Sequence, residues 1–208
     1  MKLRFTSIVV LLGALLAAPA YASTVVYTNG PINGNVEAYS FSGLYGWQTA
    51  DSFVVSSAAT VSSFDAGAWV SPGDTPTSVG WEILTGGPDF LGGTVVASGS
   101  ATPSNVYWGQ GFGYYDIYTS TVSGLNVSLG AGTYWLELLN GYTALNSNIF
   151  WDVNNGSSQA YQSGTGAVAS EAFTIYSGGT STPEPGTLIM FGSGILGLAG
   201  VLRRKINL

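Results

Sequence analysis

The chain has 208 residues, with five Lys and Arg, eleven Asp and Glu, no His, no Cys and a formal charge of −6. The absence of His and Cys excludes a Ser-His-Asp triad, a thiol nucleophile and an ordinary zinc site. All five basic residues, Lys2, Arg4, Arg203, Arg204 and Lys205, lie at the two ends, so the span from Ser23 to Thr182 has ten acids, no Lys or Arg and a formal charge of −10; this removes Schiff-base chemistry and side-chain phosphate clamps, and nucleic acid would be repelled.

The N-terminus reads as a leader. Lys2 and Arg4 precede an apolar run from Phe5 to Ala18. Ala20-Tyr21-Ala22 then sets small residues at the two positions that a signal peptidase reads. Residues 1–22 are expected to be a secretory signal peptide, cut by signal peptidase after Ala22. The run is too short for a spanning helix, which needs about 20 apolar residues.

Residues 23–177 read as one domain. Gly, Ser, Thr, Asn and aromatic residues dominate, and no long stretch has a helical period. The legible segments alternate with period two. In chain order they are Thr24 to Thr28, Val36 to Phe41, Ser52 to Ser56 with Phe53 and Val55 on one face, and Ala59 to Val70 with Val61, Phe64 and Trp69. Val79 to Leu84 follows, with Trp81 and Ile83 on one side, and then Thr94 to Ser98. Tyr114 to Val122 sets Tyr115, Ile117 and Thr119 against Tyr114, Asp116 and Tyr118. Thr133 to Leu139 is the clearest, with Tyr134, Leu136 and Leu138 alternating against Trp135, Glu137 and Leu139. Asn148 to Val153 and Ala172 to Tyr176 close the domain.

Turn signals separate these segments: Asn29-Gly30-Pro31, Asn33-Gly34, Ser71-Pro72-Gly73-Asp74, Gly86-Gly87-Pro88-Asp89, Gly130-Ala131-Gly132, Asn140-Gly141 and Asn155-Gly156. Nine or ten strands at this spacing predict an all-β fold, a single jelly-roll-like β-sandwich. Without cysteines its stability rests on the core alone. Residues 178–182 read as a flexible linker.

Carboxylates, hydroxyls and amides are the functional groups left to this domain. Two carboxylates on facing strands are the equipment of a glycosidase, and Glu82 and Glu137, beside Trp81 and Trp135, are the candidate pair. The competing reading of each is an ordinary strand acid, and no catalytic residue is assigned. Ca2+ is the one cofactor the composition invites. Asp152-Val153-Asn154-Asn155-Gly156 offers oxygen donors around a turn glycine without completing an EF-hand loop. Loops at Asp74 and Asp89 are further candidates, against a reading of all three as turn chemistry, and no metal ligand is assigned. The segment from Tyr107 to Tyr115 is rich in glycine and aromatic residues and reads as a loop. Tyr107 and Trp108 are its candidate glycan contacts; the alternative is that these rings cap the core.

The last residues form a three-part signal. Pro183-Glu184-Pro185 precedes a fifteen-residue apolar run, Leu188 to Leu202, which ends in Arg203-Arg204-Lys205. Two prolines fix the backbone and remove two N–H donors, so the motif stays extended. The apolar run is short for a spanning helix, and Gly192, Gly194, Gly197 and Gly200 weaken it further. The basic triplet stops it on the cytoplasmic side. The simplest reading is a C-terminal membrane anchor.

Residues 183–208 also resemble, in all their parts and order, the PEP-CTERM sorting signal of bacteria. The resemblance implies recognition of Pro183, Glu184 and Pro185 by an exosortase-type membrane enzyme, with processing at or near the motif. The phrase from Leu129 to Leu138, LGAGTYWLEL, resembles a strand of β-sandwich domains found upstream of such tails, and Asp51-Ser52-Phe53-Val54-Val55 resembles another piece of that pattern. The expectation is an exported bacterial protein, held transiently at the inner membrane and then placed on the cell surface or outside the cell. A structural or adhesive role is expected there, with extracellular polysaccharide as a partner and no enzymatic activity. The alternative is a carbohydrate-binding module, and a carboxylate-dependent glycoside-active enzyme is the outside chance.

Overall fold

Alternating β-branched and aromatic residues give the longer strands an apolar face, and two such faces close on each other. The computed structural model describes residues 23–35 and 37–178. Their strands are β1 (Thr24–Thr28), β2 (Ala38–Ser40), β3 (Gln48–Val55), β4 (Ala59–Val70), β5 (Pro76–Thr85), β6 (Thr94–Ala101), β7 (Ser104–Gln110), β8 (Asp116–Leu129), β9 (Gly132–Thr143), β10 (Ile149–Asp152), β11 (Ala160–Gln162), β12 (Gly166–Val168) and β13 (Phe173–Ser177). They form two antiparallel sheets, as the alternation predicts.

The first sheet is built on β4. Strand β8 runs along one side of it, from Ala59 opposite Leu129 to Val70 opposite Asp116. The other side is shared by β13, opposite Val61 to Ala66, and β10, opposite Ala68 to Val70. Strands β7, β1 and β2 border β8, β13 and β10 respectively. The second sheet has the order β12-β11-β3-β9-β5-β6.

The core lies between the sheets. Phe53 and Val55, Val79, Trp81 and Ile83, and Leu136 and Leu138 come from the second sheet. Val61, Phe64, Val122, Trp151, Phe173 and Ile175 meet them from the first. Burying each large apolar side chain contributes about 1.5–3 kcal/mol. Val61 and Phe64 both face inward although three residues apart, because the pairing of β4 with β8 shifts between Val61 and Ser63. A bulge of this kind resets the period-two parity. Trp69 therefore lies on the opposite face from Val61 and Phe64.

Three strands are absent from the sequence expectation. Strands β11 and β12 are three residues each, too short to show alternation. Strand β7 covers much of the segment expected to be a loop, so Tyr107 and Trp108 stand on an edge strand. Asn140-Gly141, expected as a turn, lies inside β9. Asn140 has φ of 47°, and the pairing with β5 slips beside it. The asparagine tolerates this left-handed conformation as a bulge instead of ending the strand.

Candidate functional site

The segment from Tyr107 to Tyr115 does not cap the core as a unit. Trp108, Phe112 and Tyr114 are 46%, 71% and 77% exposed, and Tyr107 is also exposed. Tyr115 packs against Trp69 and Phe150, on the face of β4 that points away from the core. Tyr114 holds φ of 73°. That conformation costs a bulky residue about 1–3 kcal/mol, and here it turns an exposed ring outward.

Tyr107 and Trp108 do not form one surface. Tyr107 pairs with Tyr118, and their rings meet edge-on at 5.6 Å. Tyr118 packs toward the core between the sheets. Alternation along β7 places Trp108 on the opposite, outer face of the first sheet, where the pairing shifts between Tyr107 and Gly109. There it covers Gly34 so closely that a Cβ on that glycine would lie 2.9 Å from the indole.

Trp108 forms one wall of a groove on that outer face. Gly30, Pro31 and Ile32 line it too, and Asp65, Thr119 and Thr174 bring polar groups to it. The groove volume is about 210 Å³. Sites that enclose drug-sized ligands measure about 300–1,000 Å³, so this one suits a single ring. Asp65 accepts hydrogen bonds from the Thr121 hydroxyl at 2.6 Å and the Tyr176 hydroxyl at 2.9 Å. A carboxylate has further lone pairs for a ligand donor.

Asp152 holds the loop that continues from Gly30, Pro31 and Ile32. Its carboxylate accepts from Asn33 N at 2.9 Å, Gly34 N at 3.2 Å and the Trp69 indole N–H at 2.7 Å. The Phe112 amide in turn donates to Gly34 O at 3.1 Å, tying the two loops together. Burial pushes the Asp152 carboxyl up, and these three donors oppose it. The Asp152–Gly156 segment is thus a structural node. Asn154 Oδ1 accepts from Gly156 N and the Ser170 hydroxyl, and Asn154 Nδ2 donates to Asn29 O. Asn155 is exposed.

Asp74 is equally engaged. It accepts from Thr75 N, Leu145 N and the Ser147 hydroxyl at 2.6–2.9 Å. Burial alone would raise its carboxyl, but these bonds outweigh that and hold it below the usual range.

Glu82 and Glu137 come together as cross-strand partners on β5 and β9. Glu137 is 0% exposed, beneath the loop that carries Asp89. Its Oε2 accepts from Asp89 N at 2.8 Å and its Oε1 has no partner. Burial pushes the Glu137 carboxyl up to about 7, with Glu82 and Asp89 adding repulsion. Glu82 is also raised, by burial and then by Asp89. The two carboxyls are adjacent, yet Glu137 is closed off from a substrate in this arrangement.

Sequence reasoning passed over two buried acids, Asp51 and Glu171. Desolvation pushes Asp51 up to about 6 and Glu171 well above the usual carboxylate range, with the charges of Asp51 and Asp152 adding to the shift of Glu171. Strand parity was the signal that could have found them. Asp51 shares the inward register of Phe53 and Val55, and Glu171 that of Phe173 and Ile175.

The remaining candidates, Ala20, Ala22, Pro183, Glu184, Pro185, Arg203, Arg204 and Lys205, lie outside the described residues, as do the linker from Gly179 onward and the apolar run. Among the described residues no helix is long and apolar enough to cross a membrane. Residues 181–205 match the family model of the PEP-CTERM protein-sorting motif. The chain matches no curated protein. The motif supports an exported protein with a membrane-anchored intermediate, sorted and processed by an exosortase-type membrane enzyme.

Proposed function

We propose that the β-sandwich is a structural, adhesive component of the cell surface or extracellular matrix, acting by contact and not by catalysis. The observation that carries this reading is the join between a sorting tail and a domain that presents exposed rings at Trp108, Phe112 and Tyr114. The domain has no Lys, Arg, His or Cys from Ser23 to Thr182. A surface of one sign also keeps such a protein from non-specific association. Signal peptidase would remove residues 1–22, and the exosortase-type enzyme would act at Pro183-Glu184-Pro185.

The groove favours a second reading, a carbohydrate-binding module of the same fold. An indole face beside one carboxylate and two threonine hydroxyls is a chemistry suited to a sugar ring. The formal charge of −10 favours neutral over acidic polysaccharide. Trp108→Ala is expected to weaken glycan binding about tenfold or more, since losing an aromatic contact of about 1.5 kcal/mol has that effect. Binding to a neutral-glycan array, followed by titration, checks it. Unchanged binding in the variant would leave the general adhesive reading in place and remove the groove from it.

A further inference from the structure

Where β3 passes the start of β13, the interior of the sandwich holds oxygens that no neighbour satisfies. Asp51 points inward with Phe53 and Val55. Glu171 forms an isolated bridge with Val153 and shares the inward register of Phe173 and Ile175. Both acids are 0% exposed. Asp51 Oδ2 is occupied, accepting from Glu171 N at 2.7 Å and Asn29 Nδ2 at 3.2 Å. Asp51 Oδ1 has no partner, and neither oxygen of Glu171 has one. The buried Ser158 hydroxyl, close enough to Asp51 to lower its pKa, is also unpartnered.

An unpaired buried charge is costly enough that proteins pair it, neutralise it or give it a metal. No side chain between Ser23 and Thr182 can pair it, because none is cationic, which leaves a proton or a metal, and only a metal would also use the free oxygens of both acids and of Ser158 at once. We propose that Asp51 and Glu171 bind a calcium ion in the interior of the sandwich, with the Ser158 hydroxyl as a neutral ligand. Among the described residues no group of three acids could hold a metal by itself. The ion therefore takes two carboxylates, whose summed charge it balances, and completes its shell with neutral oxygens. An all-oxygen shell of flexible number suits calcium better than zinc or magnesium. Two carboxylates place the affinity among extracellular modules, at about 10⁻⁴–10⁻³ M. This site is distinct from the Asp74 and Asp89 segments and adjoins the Asp152–Gly156 segment through the Val153–Glu171 bridge, but it uses none of that segment's side-chain oxygens, and the proposal stands whether or not the groove binds sugar.

The test uses the purified full chain, stripped with EDTA and melted with and without millimolar CaCl2. A binder of the native state raises Tm in proportion to its saturation. The expected result is a higher Tm in CaCl2 than in EDTA, lost in both Asp51→Asn and Glu171→Gln. Circular dichroism establishes that each variant is folded. For the unaltered chain, terbium supplies a second measurement: emission sensitised by nearby rings such as Tyr27 should appear and be displaced by CaCl2. Equal Tm in EDTA and CaCl2, without sensitised terbium emission, would overturn the proposal. So would a calcium-dependent rise that survives both substitutions, since the ion would then sit elsewhere.

Discussion

Asp152→Ala is expected to lower the stability of the domain by about 3–5 kcal/mol and to abolish any binding in the Trp108 groove. The substitution leaves Asn33 N, Gly34 N and the Trp69 indole N–H without their acceptor. Each buried donor left unpaired costs about 1–3 kcal/mol, with bonds to a charged group at the upper end. Partial access to water recovers some of that sum. Gly30 to Ile32, just before the bonded Asn33 and Gly34, line the groove with Trp108, so the same change loosens the site. Urea denaturation should show a lower midpoint with an unchanged slope. Asp152→Asn keeps one acceptor and should fall between the two proteins. A loss under about 1 kcal/mol for the alanine variant would show that the loop is held by other contacts.

Glu137→Gln is expected to act in the opposite direction. The folded protein holds the Glu137 carboxyl at about 7 against an ordinary 4.5. Between those two values the native state keeps a proton that the unfolded chain has released, so stability falls as pH rises. The contribution is fully present below the ordinary value and is lost as pH passes through about 7. Above that, the folded protein carries a buried carboxylate at a cost on the order of 3 kcal/mol. Glutamine keeps an acceptor for Asp89 N and removes the charge opposite Glu82. The variant should gain about 2–3 kcal/mol near pH 8 and little near pH 4, with a flatter profile between. Urea titrations across that range measure it. An equal effect at both ends would show that the charge of Glu137 is not what the fold opposes.

Period two made the strands of the two sheets legible wherever one face is apolar and one is polar. Phe53 with Val55, Trp81 with Ile83, and Leu136 with Leu138 all face the core as their spacing requires. The pattern failed where the backbone leaves the pleat. A bulge between Tyr107 and Gly109 interrupts the pairing of β7 with β8, and one at Val61 and Ser63 resets the parity of β4. The first contains Gly109, a residue type that marks bulges, but the second lies in Val61-Ser62-Ser63, where no residue type announces it. Strands of three residues, such as β11 and β12, offer too few positions for a period to appear.

The candidate site was legible in part. Trp108 could be singled out by its glycine-rich, aromatic surroundings, but its groove needs Pro31 and Ile32 from far along the chain. Glu82 and Glu137 are brought into register by the sheet, while the closure of Glu137 depends on the Asp89 loop. Asp51 and Glu171 were not singled out as functional acids because an acid among strand residues ordinarily faces water. The tail differs from all of these, since its parts are consecutive and no folding is needed to assemble them.

The most direct measurement is the intact mass of the mature protein recovered from its native cell. An address read at Pro183-Glu184-Pro185 and then discarded predicts a chain that begins at Ser23 and has lost the apolar run and Arg203-Arg204-Lys205, leaving no basic side chain. A mature product that still carries residues through Leu208 would contradict it.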